Sequence, residues 1–361
     1  MKVYFLVFFL TLLLSVVLPS KTDKQWRWKL FFTFLPLFVF AALRVDFGND
    51  YENYELYFEE FHGWDSFEFD SSSHAEIGFQ FLCYIMPSFR SMLVVNAFML
   101  CLALAVFIYR NIPNKYLWLA ILLVFLNPEK NIYGNLVGIR NGFVVTGFVL
   151  GSVFIQKRKL LPFVGLTVLL STIHTAALLF MPIAYLVGRD TPISKNEIVI
   201  WIGALSVLLT FSVSGLIDMA APIITRYFDR YDYYLEGMEA HRGILMVMST
   251  LVLSALVFVL YSSHKAHFTN GQNALIRLGL LYIFSAFLGS LAIRANYFYC
   301  IFFIGTVITL FANRKGNDLL GWALVILAIA MSVYSFRIWQ TSTWVAGNPL
   351  YSVYTSIFGA W

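Results

Sequence analysis

Residues 91–109 read SMLVVNAFMLCLALAVFIY, an apolar run without a charged side chain. A helix that crosses a bilayer needs about 20 mostly apolar residues, so this run predicts a membrane-spanning helix. Similar apolar segments recur along the whole chain. Together they cover residues 3–19, 28–43, 76–109, 115–127, 139–156, 160–187, 197–215, 244–262, 274–292, 295–312 and 319–336.

Three of these segments need interpretation before crossings are counted. The first carries one basic residue, Lys2, and has no small-residue cleavage site, which favours a retained helix over a signal peptide. The segment 76–109 is predicted to be a short half-helix followed by the span at 91–109. The segment 160–187 is too long for one span and short for two, so we predict a hairpin broken at Ser171–Thr175.

Composition supports the fold class that these segments indicate. Hydrophobic residues make up 60% of the chain and charged residues 12%, whereas soluble domains average about 45–50% and about 25%. A mean hydropathy of +0.74 excludes a water-soluble domain, and three cysteines exclude a disulfide-stapled scaffold. We therefore predict an all-α polytopic membrane protein, a single integral membrane domain over residues 1–361. It has about 12 transmembrane helices, some of them short or broken, and two outer loops.

Basic residues predict the orientation of the chain, because short cytoplasmic loops carry an excess of Lys and Arg. The net charge of +5 is attributed to this excess and not to a nucleic-acid partner. One alternation places all basic loops in the cytoplasm and two long loops, 44–75 and 216–243, outside. The basic loops are Lys21–Lys29, Arg110–Lys115, Lys157–Lys159, Arg189–Lys195, Lys265 and Arg314-Lys315.

On the predicted outer side the basic residues are mainly arginines, with few lysines. These arginines are Arg44, Arg90, Arg140, Arg226, Arg230, Arg242, Arg294 and Arg337. The planar guanidinium suits bidentate binding of phosphate or carboxylate, so this side is a candidate for anion recognition. The alternative is that the arginines pair with acids on the same side.

Loop 44–75 is the first candidate region for chemistry. Apolar or aromatic residues at positions 51, 54, 57, 58 and 61 have the spacing of one helix face, and Asn49 or Asp50 can cap the start of that helix. We predict an amphipathic helix lying on the outer membrane surface. Asp46, Asp50 and Glu76 lie nearest the predicted boundary, so they are candidates for a carboxylate that binds or deprotonates a hydroxyl.

Three polar residues stand out against apolar surroundings. Arg140 lies one or two turns inside a span, where an unpaired charge is costly. His174 lies at the predicted break of the hairpin, where irregular backbone is tolerated if it lines protein or water. Arg294 lies between two apolar segments at the same outer level as Arg140. The alternatives are snorkelling for Arg140 and a hydrogen-bonded core residue for His174.

Loop 216–243 carries tyrosines interleaved with charges, at Arg226-Tyr227, Arg230-Tyr231 and Tyr234. Tyrosine can stack on a sugar and hydrogen-bond a hydroxyl, although an interfacial aromatic belt explains any single tyrosine equally well. We predict no metal site, because His264 and His267 have no acid nearby. Cys83, Cys101 and Cys300 are predicted to be small core residues.

Taken in order, several motifs resemble the EpsG family of polysaccharide polymerases, within the broader Wzy-like group. They are Arg44 with Gly48–Tyr54, Glu76–Phe79, Ile139–Asn141, Ile173–Leu178, Arg226-Tyr227 with Tyr231, Arg294 with Tyr297, and Asn348–Tyr351. The resemblance spans nearly the whole chain. The family's usual Gly-Thr-Asp-Tyr is Gly-Asn-Asp-Tyr at 48–51, and its usual Arg-Gln is Arg-Asn at 140–141.

The resemblance implies glycosyl transfer at the outer face of a bacterial inner membrane. The donor would be a polyprenyl-pyrophosphate-linked oligosaccharide, its reducing-end sugar would pass to a hydroxyl of a second lipid-linked repeat unit, and no cofactor is needed. The partners implied are this lipid-linked oligosaccharide, the lipid bilayer, a chain-length regulator and other export-pathway proteins, with no nucleic acid.

Under this resemblance the predicted site residues take distinct roles. Arg140 and Arg294 are expected to stabilise the departing pyrophosphate. His174 is the first choice for a base or for acceptor positioning, with Asp50 and Glu76 behind it. The expected substrate-binding residues are Arg90, Arg226, Arg230, Tyr54, Tyr227, Tyr231, Tyr297 and Tyr351.

Three other functions stay open at this point. An O-antigen ligase uses the same donor with a lipid acceptor and can share an Arg-rich outer site. A flippase or transporter of lipid-linked glycans would more often show internal repeats and charges at the midplane. A membrane acyltransferase would usually carry its acid and His on the cytoplasmic side or in a wide funnel.

Overall fold

The computed structural model describes residues 2–213, 244–264, 267–285, 290–314, 319–341, 355–356 and 359–360. Numbered in chain order, its helices are α1 Lys2–Val17, α2 Asp23–Leu43, α3 Tyr51–His62, α4 Ile77–Ile85, α5 Phe89–Asn111, α6 Leu117–Leu126, α7 Gly134–Val137, α8 Ile139–Gln156, α9 Leu160–Ser171, α10 Ala176–Val187, α11 Lys195–Val213, α12 Ile244–His264, α13 Asn270–Ser285, α14 Ser290–Ala312 and α15 Leu319–Thr341. A 3-10 turn at Asn114–Tyr116 precedes α6, and a π-helical turn at Glu129–Tyr133 follows it.

Five of the described helices are long and apolar enough to cross a membrane. They are Asp23–Leu43, Phe89–Asn111, Ile139–Gln156, Arg294–Ala312 and Leu319–Thr341. Shorter apolar helices accompany them, so the prediction of an all-α membrane protein is confirmed at this level. The expected count of about 12 crossings is not supported. The physical reason is length, because α9 and α10 have 12 residues each, about 18 Å, whereas the hydrocarbon core is about 30 Å thick.

The chain divides into two compact units. The first comprises Met1–Leu186 with Ile329–Trp361, and the second comprises Val187–Ala328. In the first unit α5 packs between α2 and α8, and α9 packs along α8. Capping boxes begin two of these helices, formed by Thr22 and Gln25 at the start of α2 and by Ser88 and Ser91 at the start of α5.

Three predicted basic loops lie together at one end of the first unit. The Tyr109 hydroxyl donates to Asp23 Oδ1 at 2.7 Å, and the Asn114 amide donates to the Ser20 carbonyl at 2.8 Å. The Gln156 amide donates to Asn111 Oδ1 at 2.9 Å. The segments around residues 20–29, 109–115 and 156–159 therefore share one side, as the charge pattern predicts.

The hairpin predicted over 160–187 is confirmed. Helix α9 ends at Ser171 and α10 begins at Ala176, so the break falls where it was expected. The two ends of the hairpin meet again, because the Arg158 guanidinium donates to the Tyr185 carbonyl at 2.7 Å and the rings of Phe163 and Tyr185 stack at 5.0 Å. The tip at residues 172–175 thus points away from the basic loops.

Helix α3 confirms the predicted amphipathic segment but not its location on the membrane surface. Its apolar face, Tyr51, Tyr54, Phe58 and Phe61, is buried in the protein. These side chains form one cluster with residues of α4, α5 and α8, among them Phe79, Phe89, Met92 and Phe143. An amphipathic pattern only requires an apolar partner, and here neighbouring helices supply it instead of lipid.

Two short strands near the C-terminus form a sheet with the start of loop 44–75. Strands β1 Arg44–Val45, β2 Thr355–Ser356 and β3 Gly359–Ala360 form a small antiparallel sheet in the order β1-β2-β3. Arg44 pairs with Ser356, and Val45 pairs with Thr355. The sheet lies at the C-terminal end of α2, and the N-terminal end of α2 lies among the basic loops.

The second unit is built around α13 and α14, which pack against each other along their length. Gly279 allows the close approach, because a Cβ there would lie 3.0 Å from the Phe302 carbonyl oxygen. Arg277 of α13 is fully buried and pairs with Glu197 of α11, its Nε donating to Oε1 at 2.6 Å. The predicted loop 216–243 lies outside the described residues.

Candidate active site

Glu76 joins three segments of the first unit that are far apart in the sequence. It is the N-cap residue of α4, but its side chain makes no capping hydrogen bond there. Its Oε2 accepts a hydrogen bond from Arg140 Nη1 at 2.7 Å, and its Oε1 lies 3.0 Å from Nδ1 of His174. The main-chain nitrogen of Thr175 also donates to Oε1, at 3.0 Å. Three of the predicted site residues therefore meet at one carboxylate.

The hairpin tip reaches this carboxylate because it is fixed to the start of α4. The main-chain nitrogen of Gly78 donates to the Thr172 carbonyl at 2.6 Å. A Cβ at position 78 would lie only 2.8 Å from both the carbonyl carbon and the carbonyl oxygen of Thr172. Glycine at this position thus permits a backbone contact that presents His174 and Thr175 to Glu76.

Arg140 lies in the first turn of α8 and is enclosed on several sides. Its Nη1 donates to the His74 carbonyl at 2.9 Å as well as to Glu76. Its guanidinium carbon lies 5.9 Å from the ring centre of Tyr54 and 5.7 Å from that of Tyr57, distances typical of cation–π contacts. The side chain keeps 18% of its surface exposed.

Glu76 is ionised throughout the physiological pH range. Burial disfavours the charged carboxylate, but hydrogen bonds from His174 and Thr175 and the positive charge of Arg140 outweigh burial and lower the pKa of Glu76 to about 2. An ionised carboxylate can only accept hydrogen bonds. Glu76 Oε1 therefore has no proton to donate in its contact with His174 Nδ1.

Three helix N-termini converge on the same carboxylate. Glu76 immediately precedes α4, Arg140 is the second residue of α8, and Thr175 immediately precedes α10. Unpaired main-chain N–H groups give each helix N-terminus a partial positive charge. Together with the guanidinium they make this region strongly attractive to anions, and Glu76 is the anion that occupies it in the structure.

This cluster lies at the end of the unit opposite the basic loops. Gln156, at the other end of α8, contacts Asn111 among those loops. Arg140 and Gln156 are separated along α8 by about 24 Å, at about 1.5 Å per residue. Since α8 is one of the five helices long and apolar enough to cross a membrane, a span along α8 would place the cluster near one boundary of a hydrocarbon layer about 30 Å thick.

Comparison with known families agrees with these motifs. The EpsG family model matches residues 27–355, which include Glu76, Arg140 and His174. The chain belongs to the EpsG family. Members of this family are Wzy-like polymerases. No curated protein and no solved structure matches the chain.

Two arginines of this EpsG-family chain that were predicted on the outer side have structural partners. Arg44 is fully buried, and its Nη2 donates to Asn96 Oδ1 at 3.1 Å and to the Leu136 carbonyl at 3.0 Å. Arg90 Nη1 donates to the carbonyls of Ala42 and Arg44 at 2.9 and 2.7 Å, which caps the end of α2. The geometry gives Arg90 a helix-capping contact, and its expected substrate contact stays a prediction.

The other predicted residues of the EpsG-family chain lie at other helices or outside the described residues. Asp50 is the N-cap residue of α3 and makes no side-chain capping hydrogen bond. Arg294 and Tyr297 lie in α14 of the second unit, both half-buried. The sequence suggested that Arg294 lies between two apolar segments, but the structure places it within a helix. The remaining predicted residues, Arg226, Tyr227, Arg230, Tyr231 and Tyr351, lie outside the described residues.

Sequence reasoning missed the two residues that connect the cluster, Thr175 and Gly78. Both stand inside motifs shared with the EpsG family, but their roles follow from backbone contacts between α4 and the hairpin tip. It also missed the buried pair of Arg277 and Glu197 in the second unit. Among the described residues, no group of three or more His, Cys, Asp and Glu is arranged to hold a metal ion.

Proposed function

We propose that this EpsG-family chain joins polyprenyl-pyrophosphate-linked oligosaccharide repeat units into a surface polysaccharide, by glycosyl transfer at the outer face of the bacterial inner membrane. The observation that carries the proposal is the meeting of Arg140 and His174 at Glu76, on the end of the unit opposite the basic loops. That end faces outward if the basic loops are cytoplasmic. It would meet donor and acceptor lipids after their transfer across the membrane.

Arg140 is proposed to bind the pyrophosphate of the donor. Charge develops on the departing pyrophosphate when the bond to the reducing-end sugar breaks, and a cation already in place stabilises that charge. The guanidinium is held by the Glu76 carboxylate and the His74 carbonyl, so it needs little reorganisation. The N-terminal N–H groups of α8 add to the same positive field.

His174 is proposed to receive the proton of the acceptor hydroxyl or to orient that hydroxyl. The acceptor oxygen forms a new bond to C1 of the donor sugar while the bond from C1 to the pyrophosphate oxygen breaks. The hydroxyl proton passes to the imidazole, and the lipid pyrophosphate leaves with the electron pair of the broken bond. General-base assistance of this kind typically contributes about 100- to 10,000-fold to a rate.

Arg294 is proposed as a second cation for the same leaving group. It lies in the first turns of α14 and keeps part of its side chain exposed. A pyrophosphate diester carries two negative charges, and the planar guanidinium of Arg294 can bind two of its oxygens at once. A chain-length regulator and other export-pathway proteins are the partners proposed for the assembled system.

Glycan analysis of a deletion strain tests the function directly. We expect surface lipids capped with single repeat units, because transfer of units to the surface continues while polymerisation stops. Long chains left on the carrier lipid would instead identify a ligase and contradict the proposal. Restoration of long surface chains by the wild-type chain, but not by a chain with both Arg140 and His174 replaced, is the matching control.

A further inference from the structure

The contacts of Glu76 leave little room for it to act as a base. Oε2 accepts from Arg140 at 2.7 Å, and Oε1 accepts from the Thr175 nitrogen at 3.0 Å and the Thr175 hydroxyl at 3.3 Å. Oε1 also lies 3.0 Å from His174 Nδ1. Both carboxylate oxygens therefore accept hydrogen bonds, and these donors stabilise the ionised form, which makes the carboxylate a weak base.

We propose that Glu76 is a positioning residue that fixes the His174 imidazole in its Nδ1-protonated form and aligns it with the Arg140 guanidinium. This inference rests on the proposed function. It deepens that function because it assigns proton transfer to His174 alone among the residues of the cluster. A single carboxylate then sets the placement of the cation for the leaving group and of the base for the acceptor.

The tautomer follows from hydrogen-bonding capacity. A carboxylate accepts but does not donate, so the ring nitrogen facing it must carry a proton. The neutral imidazole then has its lone pair on Nε2, on the opposite side of the ring from Glu76. A proton received there makes an imidazolium, which the negative charge of Glu76 stabilises.

The backbone around Glu76 supports a fixed geometry. The Gly78–Thr172 hydrogen bond at 2.6 Å joins α4 to the hairpin tip, and its two residues lie two positions from Glu76 and from His174. Glu76 and His174 are thus held by a main-chain contact in addition to their own. A positioning carboxylate is effective when its own rotamer is constrained in this way.

Other charged or titratable groups also face the cluster. Arg140 approaches from α8, and its positive charge opposes protonation of the imidazole. Tyr54 and Tyr57 approach Arg140 from α3, and His74 approaches through its carbonyl from the loop before α4. Loss of the Glu76 charge removes the group that stabilises the imidazolium. It also leaves the positive charge of Arg140 without its counter-ion. Each effect lowers the pKa of His174.

The substitution Glu76→Gln tests the inference, with Glu59→Gln as a matched control on the exposed face of α3. The purified full chains react with diethyl pyrocarbonate over a pH series, and mass spectrometry measures the modification of His174. Only neutral imidazole reacts, so the pH dependence reports the pKa of His174. We expect Glu76→Gln to lower this pKa by about one unit or more and Glu59→Gln to leave it unchanged.

The same variants are then assayed for polymer formation in reconstituted membranes. We expect a loss of about 100-fold or more for Glu76→Gln, and an acidic limb of the pH–rate profile that moves to lower pH. An unchanged His174 titration would overturn the inference. So would activity retained in His174→Gln together with activity lost in Glu76→Gln, because that pattern would make Glu76 the base.

A second measurement needs no change at Glu76, so it stands even if Glu76→Gln does not fold. Nitrogen-15 NMR of histidine-labelled chain identifies the tautomer of His174, whose signal is assigned by its loss in His174→Gln. We expect the Nδ1-protonated form at neutral pH, and an Nε2-protonated ring would overturn the inference. If the tautomer is as expected but the wild-type chain makes no polymer, the proposed function fails while the assignment of Glu76 stands.

Discussion

The main-chain nitrogen of Gly78 donates to the carbonyl oxygen of Thr172 at 2.6 Å, and this contact leaves no space for a Cβ at position 78. The pair ties the first turn of α4 to the tip of the α9–α10 hairpin. It therefore sets the distance between Glu76 and His174, although neither Gly78 nor Thr172 carries chemistry of its own.

Gly78→Ala is expected to separate the hairpin tip from α4. The added methyl would lie 2.8 Å from the Thr172 backbone, so the tip must shift and the contact between Glu76 and His174 must lengthen. We expect at least a 10-fold loss of polymer formation, since small displacements of reacting groups are costly. The control is Gly165→Ala in α9, where a Cβ meets nothing within 4 Å and activity should stay unchanged. Equal activity in both variants would contradict this role of Gly78.

The orientation predicts which loops an impermeant reagent can reach in intact cells. Cysteine placed at Asp65, in the loop before α4, should be labelled, whereas cysteine placed at Lys157 should be labelled only after the membrane is permeabilised. Both positions are exposed, and the native cysteines Cys83, Cys101 and Cys300 are buried. Labelling of position 157 but not of position 65 would place Arg140 in the cytoplasmic half and contradict the proposed reaction.

Replacement of Arg140 or Arg294 by Lys tests their binding to pyrophosphate. Lysine keeps the charge but loses the planar fork that binds two oxygens at once. We expect polymer formation to fall about 100-fold for Arg140→Lys while the protein still inserts and accumulates. Wild-type chain length in both variants would contradict the assignment, and low abundance of Arg140→Lys would show that its pair with Glu76 is mainly structural.

The sequence predicts Arg140 and His174 because each is a polar residue in an apolar run, where an unpaired group is expensive. The same reasoning cannot separate Arg140 from Arg44 or Arg90, since all three lie near ends of apolar segments. The three arginines differ in their tertiary contacts. Arg44 and Arg90 donate mainly to backbone carbonyls, whereas Arg140 meets a carboxylate that lies 64 residues away in the sequence.

In the fold, too, features that depend on the local sequence were predictable and features that depend on tertiary contacts were not. The break at Ser171–Thr175 was predictable because it depends on the length of an apolar run and its polar interruption. The environment of α3 was not predictable, because the periodic pattern of Tyr51, Tyr54, Phe58 and Phe61 fits a lipid surface and a protein surface equally well. The count of about 12 crossings is not supported, because hydropathy alone does not distinguish a full span from helices of 12 residues.

The stability of the chain should depend on the ionisation of Glu76 at acidic pH. Its pKa is about 2 in the folded chain, below the ordinary value of about 4.3. A depressed pKa means that the carboxylate contributes stability above about pH 5 and loses that contribution as pH falls toward 2. The melting temperature of the wild-type chain should exceed that of Glu76→Gln at pH 7, and the difference should narrow between pH 5 and pH 3. A difference that is constant over this range would contradict the ion pair.

The substitution His174→Gln separates catalysis from donor binding. Glutamine can donate a hydrogen bond but cannot accept a proton as a base does, so we expect little polymer while lipid-linked donor is still retained by the purified variant. In the wild-type chain the rate should fall as pH drops through the pKa of the base, near 6.5 for an unperturbed histidine. Near-normal polymer length from His174→Gln in a reconstituted assay would exclude the base role and leave Asp50 or Glu76 as the remaining candidates. Loss of donor binding together with loss of folding would instead make His174 a structural residue of the hairpin tip, held by its hydrogen bond to Glu76.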